Sequence, residues 1–480
     1  MKTLLILIAG LVFAAPSPTT AAAGAADAAG AKDPIVPVIE GEWWRIAGNP
    51  DLGKYTNDKQ EPVDFGIWQA ADGTWQVWSC IRNTNCGGHS RLFYGWEGKS
   101  ITDKDWTPKG IKMEADPKLG EAEGGLQAPC VVRADGKFWM AYGAWVHIWF
   151  ATSADGKTFE RVIQPNGKTG AFSEGPRSNT RDPMLIKISD LWHCYYTAIV
   201  GERGYGYCRT SPDLKHWSHS FITSYGGSVG SNPWWNECPH VVEVEPGEFV
   251  YFRNQFYGKG ARNWAYYSTN PYNFGIDNDS CLVADLPIAA PEIVMHEGKY
   301  YIVALTPDLD GIRVARLRWG RVSKFGAPVF DFDNEAIRKQ WKMIKGNFEA
   351  IFWDKTHQPF GAPSRFVIGT CETKKGAYDD TRTGVIESPA FMLEDETYTL
   401  LMGGGRDEKT EYVSIVDADS GAEITRFAGG DRNEVEPMRF RPAQNAGKRV
   451  RIRVVDEATG GWGHINFGGI YRQGKPVLFK

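Results

Sequence analysis

Three short segments place acidic residues at the openings of separate strand patterns: Val63-Asp64-Phe65, Arg181-Asp182-Pro183 and Glu237-Cys238-Pro239. Carboxyl groups gathered in one pocket divide labour. One, held protonated, releases a leaving-group oxygen, and another, ionised, attacks an acetal carbon or activates water, which is the chemistry of glycosidic bond cleavage. Repulsion and partial burial raise the pKa of the group that is less well solvated or paired, while a nearby arginine keeps another ionised. On this reading Glu237 is the general acid, Asp64 the nucleophile or base, and Asp182 a third acid that orients sugar hydroxyls and tunes Glu237. Arg181 holds Asp182 or a substrate hydroxyl.

Residues so far apart meet only if repeated units bring them to one axis. Five turn-plus-aromatic strand patterns supply the repeat: Asp72-Gly73-Thr74-Trp75, Asp135-Gly136-Lys137-Phe138, Asp190-Leu191-Trp192, Gly247-Glu248-Phe249 and Glu297-Gly298-Lys299-Tyr300. Their spacing of roughly fifty to sixty residues is that of a four-stranded propeller blade. Each follows an apolar strand whose opening residues would line the axis: Pro62-Val63-Asp64, Gln127-Ala128-Pro129, Arg181-Asp182-Pro183, Glu237-Cys238-Pro239 and Ala290-Pro291-Glu292. An all-β fold follows, a five-bladed β-propeller with the three acids at equivalent points of blades one, three and four. Glu292 sits two residues further along its strand and reads as structural.

The 480 residues exceed one ordinary core. Residues 1–23 read as a signal peptide: Lys2, a short apolar run, then Ala21-Ala22-Ala23. Residues 24–40 read as a disordered linker, rich in Ala, Gly and Asp. The propeller is assigned to 41–323. Beyond it, 324–480 show polar-alternating strands between Gly and Asp turns, as in Arg449-Val450-Arg451-Ile452-Arg453-Val454, and predict a jelly-roll-like C-terminal β-sandwich. This module is expected to brace the propeller, with Trp462 and His464 at its edge.

A net charge of −4 without basic clusters lacks the electrostatic pull that nucleic-acid binding needs. No segment after the leader is long and apolar enough for a membrane span. A secreted or periplasmic monomer acting on an oligo- or polysaccharide is expected. The eight cysteines show no metal-ligand spacing, so no zinc site is expected; nothing in the sequence requires a catalytic metal or a cofactor, and a structural calcium or other ion on the propeller axis is left open. Cys194 with Cys208, and Cys80 with Cys86, are local disulfide options, with buried free thiols the alternative.

Sugar faces stack on aromatic rings, and Trp68, Trp145, Trp234 and Trp235 are the rim candidates, the Trp234-Trp235 pair foremost. Asn49, Asp51, Gln127 and Asn236 are the candidate hydroxyl partners. Ser153-Ala154-Asp155-Gly156-Lys157-Thr158-Phe159 and Ser211-Pro212-Asp213-Leu214-Lys215-His216-Trp217 resemble the Asp boxes of sialidases, which form turns and carry no chemistry. A sialidase also needs six blades and an arginine triad, neither evident in the sequence.

The blade-one Asp, Arg181-Asp182-Pro183 and Glu237-Cys238 resemble the triad of glycoside hydrolase family 32, the invertases and levanases. Ala128-Pro129 and Glu237-Cys238-Pro239 are also similar to family 43, the arabinofuranosidases and xylosidases. Gly403-Gly404-Gly405 and Gly460-Gly461-Trp462-Gly463 look like the sandwich that accompanies levanase-type propellers. The resemblance implies a five-bladed glycosidase acting on fructosyl or arabinosyl furanosides. Where family 32 has Asn-Asp-Pro-Asn-Gly this chain has Val63-Asp64-Phe65-Gly66-Ile67, so fructose specificity does not follow. Whether configuration is retained or inverted turns on the carboxylate separation. A non-catalytic glycan-binding propeller is the alternative reading. A glycan phosphorylase is a third, and needs a basic phosphate pocket for which Arg181 and scattered arginines are the candidates.

Overall fold

Five antiparallel sheets follow one another along the chain in a computed structural model that describes residues 32–357 and 360–480. The first runs Glu61–Gln69, Trp75–Arg82, Leu92–Gly98 and Thr107–Met113, each strand beside the next. The second begins Leu126–Ala134 and Lys137–Ala144, the third Arg181–Ile188 and Leu191–Val200, the fourth Glu237–Glu245 and Glu248–Phe256. The fifth takes only three strands from its own segment, Glu292–His296, Lys299–Leu305 and Gly311–Arg321. Its outer strand is the N-terminal Ile35–Gly48, in register from Ile35 opposite Arg321 to Gly48 opposite Gly311.

Contacts between the first strands of successive sheets run in cyclic order, from the first through the fifth and back to the first. The sheets are therefore blades around an axis, closed by pairing the two ends of the propeller segment. This closure moves the fold's start from 41 to Ile35, which is fully buried. The run Ile35-Val36-Pro37-Val38-Ile39 is apolar, β-branched and paired rather than linker. The expected signal peptide lies outside the described residues, as does the linker up to residue 31.

Hairpin alternation sends large aromatics between blades. Trp68, Trp78 and Phe159 meet edge to face, Phe150 stacks on Trp217 at 5.6 Å, and Tyr251 stacks on Phe274 at 4.9 Å. Near the axis the blades approach so closely that a Cβ on Gly66 would lie 2.2 Å from the Pro129 carbonyl oxygen.

Each innermost strand opens with a residue in the left-handed region: Asp64 at φ 35°, Ala128 at 39°, Asp182 at 54°, Cys238 at 46° and Ala290 at 48°. In the first four blades the ladder slips here, the signature of a bulge that turns side chains toward the axis. Asp64, Asp182 and Cys238 thus share one position. Glu237 stands one residue earlier, at the place Arg181 and Gln127 hold in their blades. The three acids are not equivalent.

Residues after the fifth blade form two six-stranded sheets around Phe332, Trp341, Phe467, Ile415 and Ile452, which is the expected sandwich. The sandwich is fastened to the propeller at the C-terminus, where Val477–Leu478 pairs with Gly320 and Arg321. All eight cysteines are free. Cys194 faces Arg209 in the ladder while Cys208 faces Tyr195, so alternation directs the two thiols to opposite faces of the sheet.

Candidate active site

A pocket of about 380 Å³ opens at the axis between blades one to four. Its floor and walls include Asp64, Gln127, Arg181 and Glu237 from the first strands. The ends of second strands add Arg82, Trp145, Gln255, Phe256 and Tyr257, because a hairpin's second strand ends beside the opening of its first. Trp234 and Trp235 enter from the loop before Glu237, and Arg91 from blade one.

Asp64 is held through one oxygen. Its Oδ1 accepts hydrogen bonds from the Tyr257 hydroxyl at 2.8 Å and the Cys238 thiol at 3.2 Å, while Oδ2 has no hydrogen-bond partner among the described residues. Burial, reinforced by the Asp64 charge, pushes both the Tyr257 hydroxyl and the Cys238 thiol well up, so both remain donors. Glu237 is held in the same manner. Its Oε1 accepts from Arg181 Nη2 at 2.8 Å and Nε at 3.3 Å, and Oε2 has no hydrogen bond. Burial raises the Glu237 pKa against the opposing Arg181 charge.

Asp182 lies beneath the pocket rather than in its wall, 2% exposed. Its Oδ2 accepts from the Cys238 backbone N–H at 3.2 Å and lies 3.5 Å from Arg181 Nε. Burial, then the Asp64 charge, pushes its carboxyl up to about 7. One oxygen each of Asp64 and Asp182 and the Cys238 sulfur all lie within 4.8 Å of one another. Asp182 thus sits beside Asp64 and Cys238, and the pocket lining does not include it for the expected contact with sugar hydroxyls.

Of the rim candidates, Trp145, Trp234, Trp235 and Gln127 line the pocket. Gln127 Oε1 accepts from the Trp145 N–H at 3.2 Å, and Trp234 is half exposed over Arg181. Four expectations fail. Trp68 is buried between blades, its indole donating to the Gly156 carbonyl. Asn236 is buried and donates to the Ser224 carbonyl. Asn49 and Gln60 bond each other in a loop, and Asp51 accepts from Gly53 N–H and the Thr56 hydroxyl to fix a turn. Each satisfies local backbone or packing, which is the ordinary use of these residue types.

The Asp-box segments do form turns, with Asp155 accepting from the N–H groups of Lys157 and Thr158 and Asp213 from those of Lys215 and His216. Glu292 lies outside the pocket, 3.3 Å from His240 Nδ1. The absence of axial arginines does not hold: Arg82, Arg91 and Arg181 all line the pocket. Sequence reading also passed over Tyr257 and Arg91, both in the pocket lining. For Tyr257 the register signal was available, since the residues just after the second strand of each blade flank the opening of the first.

No family model matches the chain, and no curated protein does. Solved structures similar to it include a thermostable family-43 glycoside hydrolase, 18% identical with TM-score 0.41, covering 56% of this chain and 92% of that one. A family-43 arabinoxylan arabinofuranohydrolase from Bacillus subtilis is 12% identical at TM-score 0.39, with 87% and 96% covered. A Bombyx mori family-32 β-fructofuranosidase is 14% identical at TM-score 0.39, with 90% and 94% covered.

Proposed function

We propose that the chain is a glycoside hydrolase in which Glu237 is the proton donor and Asp64 the ionised partner. One observation carries this reading: both carboxyls open into the same pocket, each anchored through one oxygen with the other unbonded. Tyr257 and Cys238 orient Asp64 through Oδ1, while burial favours the proton on Glu237. A sugar seated in the pocket would receive the Glu237 proton on its glycosidic oxygen as the C–O bond breaks. Asp64 would attack the anomeric carbon, or take a proton from the water that does so. Asp182 and Cys238 position Asp64, and Arg181 positions Glu237.

The motif resemblances name fructosyl and arabinosyl furanosides as first substrates, and Trp234 and Trp235 are the stacking candidates in the pocket lining. An exported chain is the form we propose, on the strength of the apolar leader read in residues 1–23. The test is product release from fructans, arabinans, xylans and aryl furanosides by the wild type beside Glu237→Gln. Release by the wild type and its loss in the variant is expected; no release from any of them would refute the furanoside reading.

A further inference from the structure

The three guanidinium groups in the pocket are not alike. Arg82 is committed to Glu61, at 2.7 and 2.8 Å, and Arg181 to Glu237 and Asp182. Arg91 has no carboxylate partner among the described residues. Its Nε and Nη1 are hidden from solvent and make no hydrogen bond, and its guanidinium carbon lies 5.0 Å from the centre of the Trp145 ring.

The mounting of Arg91 is rigid. Its N–H donates to the Gly124 carbonyl, and neighbouring His89 stacks on Trp145 at 3.6 Å while its N–H donates to the Glu123 carbonyl. Two guanidinium donors hidden from solvent with no acceptor are unfavourable unless a ligand supplies one. Trp145 offers polarisable area but no acceptor oxygen. Among the described residues no acid in or under the pocket lies within ion-pair distance of Arg91, and its charge reaches Glu237 only at longer range, where it opposes the rise of that carboxyl.

We infer that Arg91 receives an oxyanion carried by the glycan, a carboxylate or sulfate on the sugar in the pocket or on the unit joined to it. The substrate is then an acidic glycan, such as one with a uronic acid beside the cleaved bond. This rests on the glycosidase reading for the identity of the ligand as a sugar. Planar, forked donors suit a carboxylate in the plane of Arg91.

The experiment is calorimetric titration of the full chain with glucuronate, glucose, inorganic sulfate and inorganic phosphate, for wild type, Arg91→Gln and Arg91→Lys, with melting temperatures confirming folding. Hydrolysis of aryl glucuronides and neutral aryl furanosides is followed in parallel. Glucuronate should bind wild type roughly tenfold or more tighter than glucose. That preference should vanish in Arg91→Gln, survive in part in Arg91→Lys, and weaken with salt. Equal binding of the two sugars, or a preference unchanged in Arg91→Gln, overturns the inference. So does tight binding of phosphate without preference for glucuronate, which would assign Arg91 to free phosphate. Neutral furanosides hydrolysed by wild type, with aryl glucuronides and glucuronate treated alike by wild type and Arg91→Gln, would leave the hydrolase standing and remove the acidic substrate. Arg91-dependent glucuronate binding with no hydrolysis of any glycoside would do the reverse.

Discussion

Arg181 and Glu237 hold the same register position in adjacent blades, and Nη2 of the first lies 2.8 Å from Oε1 of the second. The pair sets the proton affinity of the proposed acid: burial raises it and the guanidinium opposes the rise. Arg181→Gln removes the opposing charge, so the Glu237 pKa should climb further. An acid catalyst must be protonated, and the basic limb of the kcat/KM profile should therefore move to higher pH while the maximum falls. A limb that stays in place or moves down would show that Glu237 is not the group titrating there.

Glu237→Gln tests the donor by its dependence on leaving group. A sugar or alkoxide needs the proton, and its release should slow by about 10²–10⁴-fold. A dinitrophenolate needs none, so the same variant should keep most of its rate on a dinitrophenyl glycoside. Equal losses on both substrates would make Glu237 a binding residue.

Asp182 should cost stability at neutral pH. Its carboxyl is raised from an ordinary value near 3.9 to about 7, so between those values the folded chain binds more protons than the unfolded one. Stability then falls as pH rises through that window and stays lower above it. Asp182→Asn removes the penalty while keeping an acceptor for the Cys238 N–H. Its melting temperature should exceed that of wild type at pH 8, by the equivalent of a few kcal/mol at most, and converge with it near pH 4. Activity should drop, because Asp64 loses a charged neighbour. An Asn variant that melts lower at pH 8 would contradict this account.

Gly66→Ala probes the closeness of blades one and two. The added methyl would meet backbone, the Pro129 carbonyl oxygen, so the blades must part. A loss of about 1–3 kcal/mol or more is expected in urea unfolding. An unchanged midpoint would mean that the blades yield freely.

The repeat and the pocket's acids were legible because turn residues and period-two aromatics mark each hairpin locally. The chain closure was not, since pairing of Ile35–Gly48 with Gly311–Arg321 is a contact across the whole propeller. The offset of Glu237 was present in the prolines: Pro183 follows Asp182 directly, whereas Pro239 follows Cys238, with Glu237 one place earlier. Trp68 and Asn236 were misread because adjacency to a catalytic candidate along a strand alternates between axis and core. Arg91 and Tyr257 carried no motif. The pairing of a second-strand end with a first-strand opening brings in Tyr257, and a bridge to Gly125 just ahead of the third strand Leu92–Gly98 brings in Arg91.

Tyr257 bears on Asp64 through a single oxygen, and that makes its contribution separable. Its hydroxyl and the Cys238 thiol are the two donors to Oδ1, and the hydroxyl, at 2.8 Å, is the shorter and stronger. Tyr257→Phe keeps the ring and leaves the thiol alone to orient the carboxylate. A hydrogen bond to a charged group contributes about 1.5–3 kcal/mol, so kcat/KM should fall by roughly one to two orders of magnitude. The loss should appear in kcat more than KM, because Oδ2, not the tyrosine, would face the reacting carbon. The decisive comparison is with Asp64→Asn. If Tyr257 acts by positioning Asp64, adding Tyr257→Phe to Asp64→Asn should lower the residual rate little further. Additive losses in the double variant would instead place Tyr257 in direct contact with the substrate.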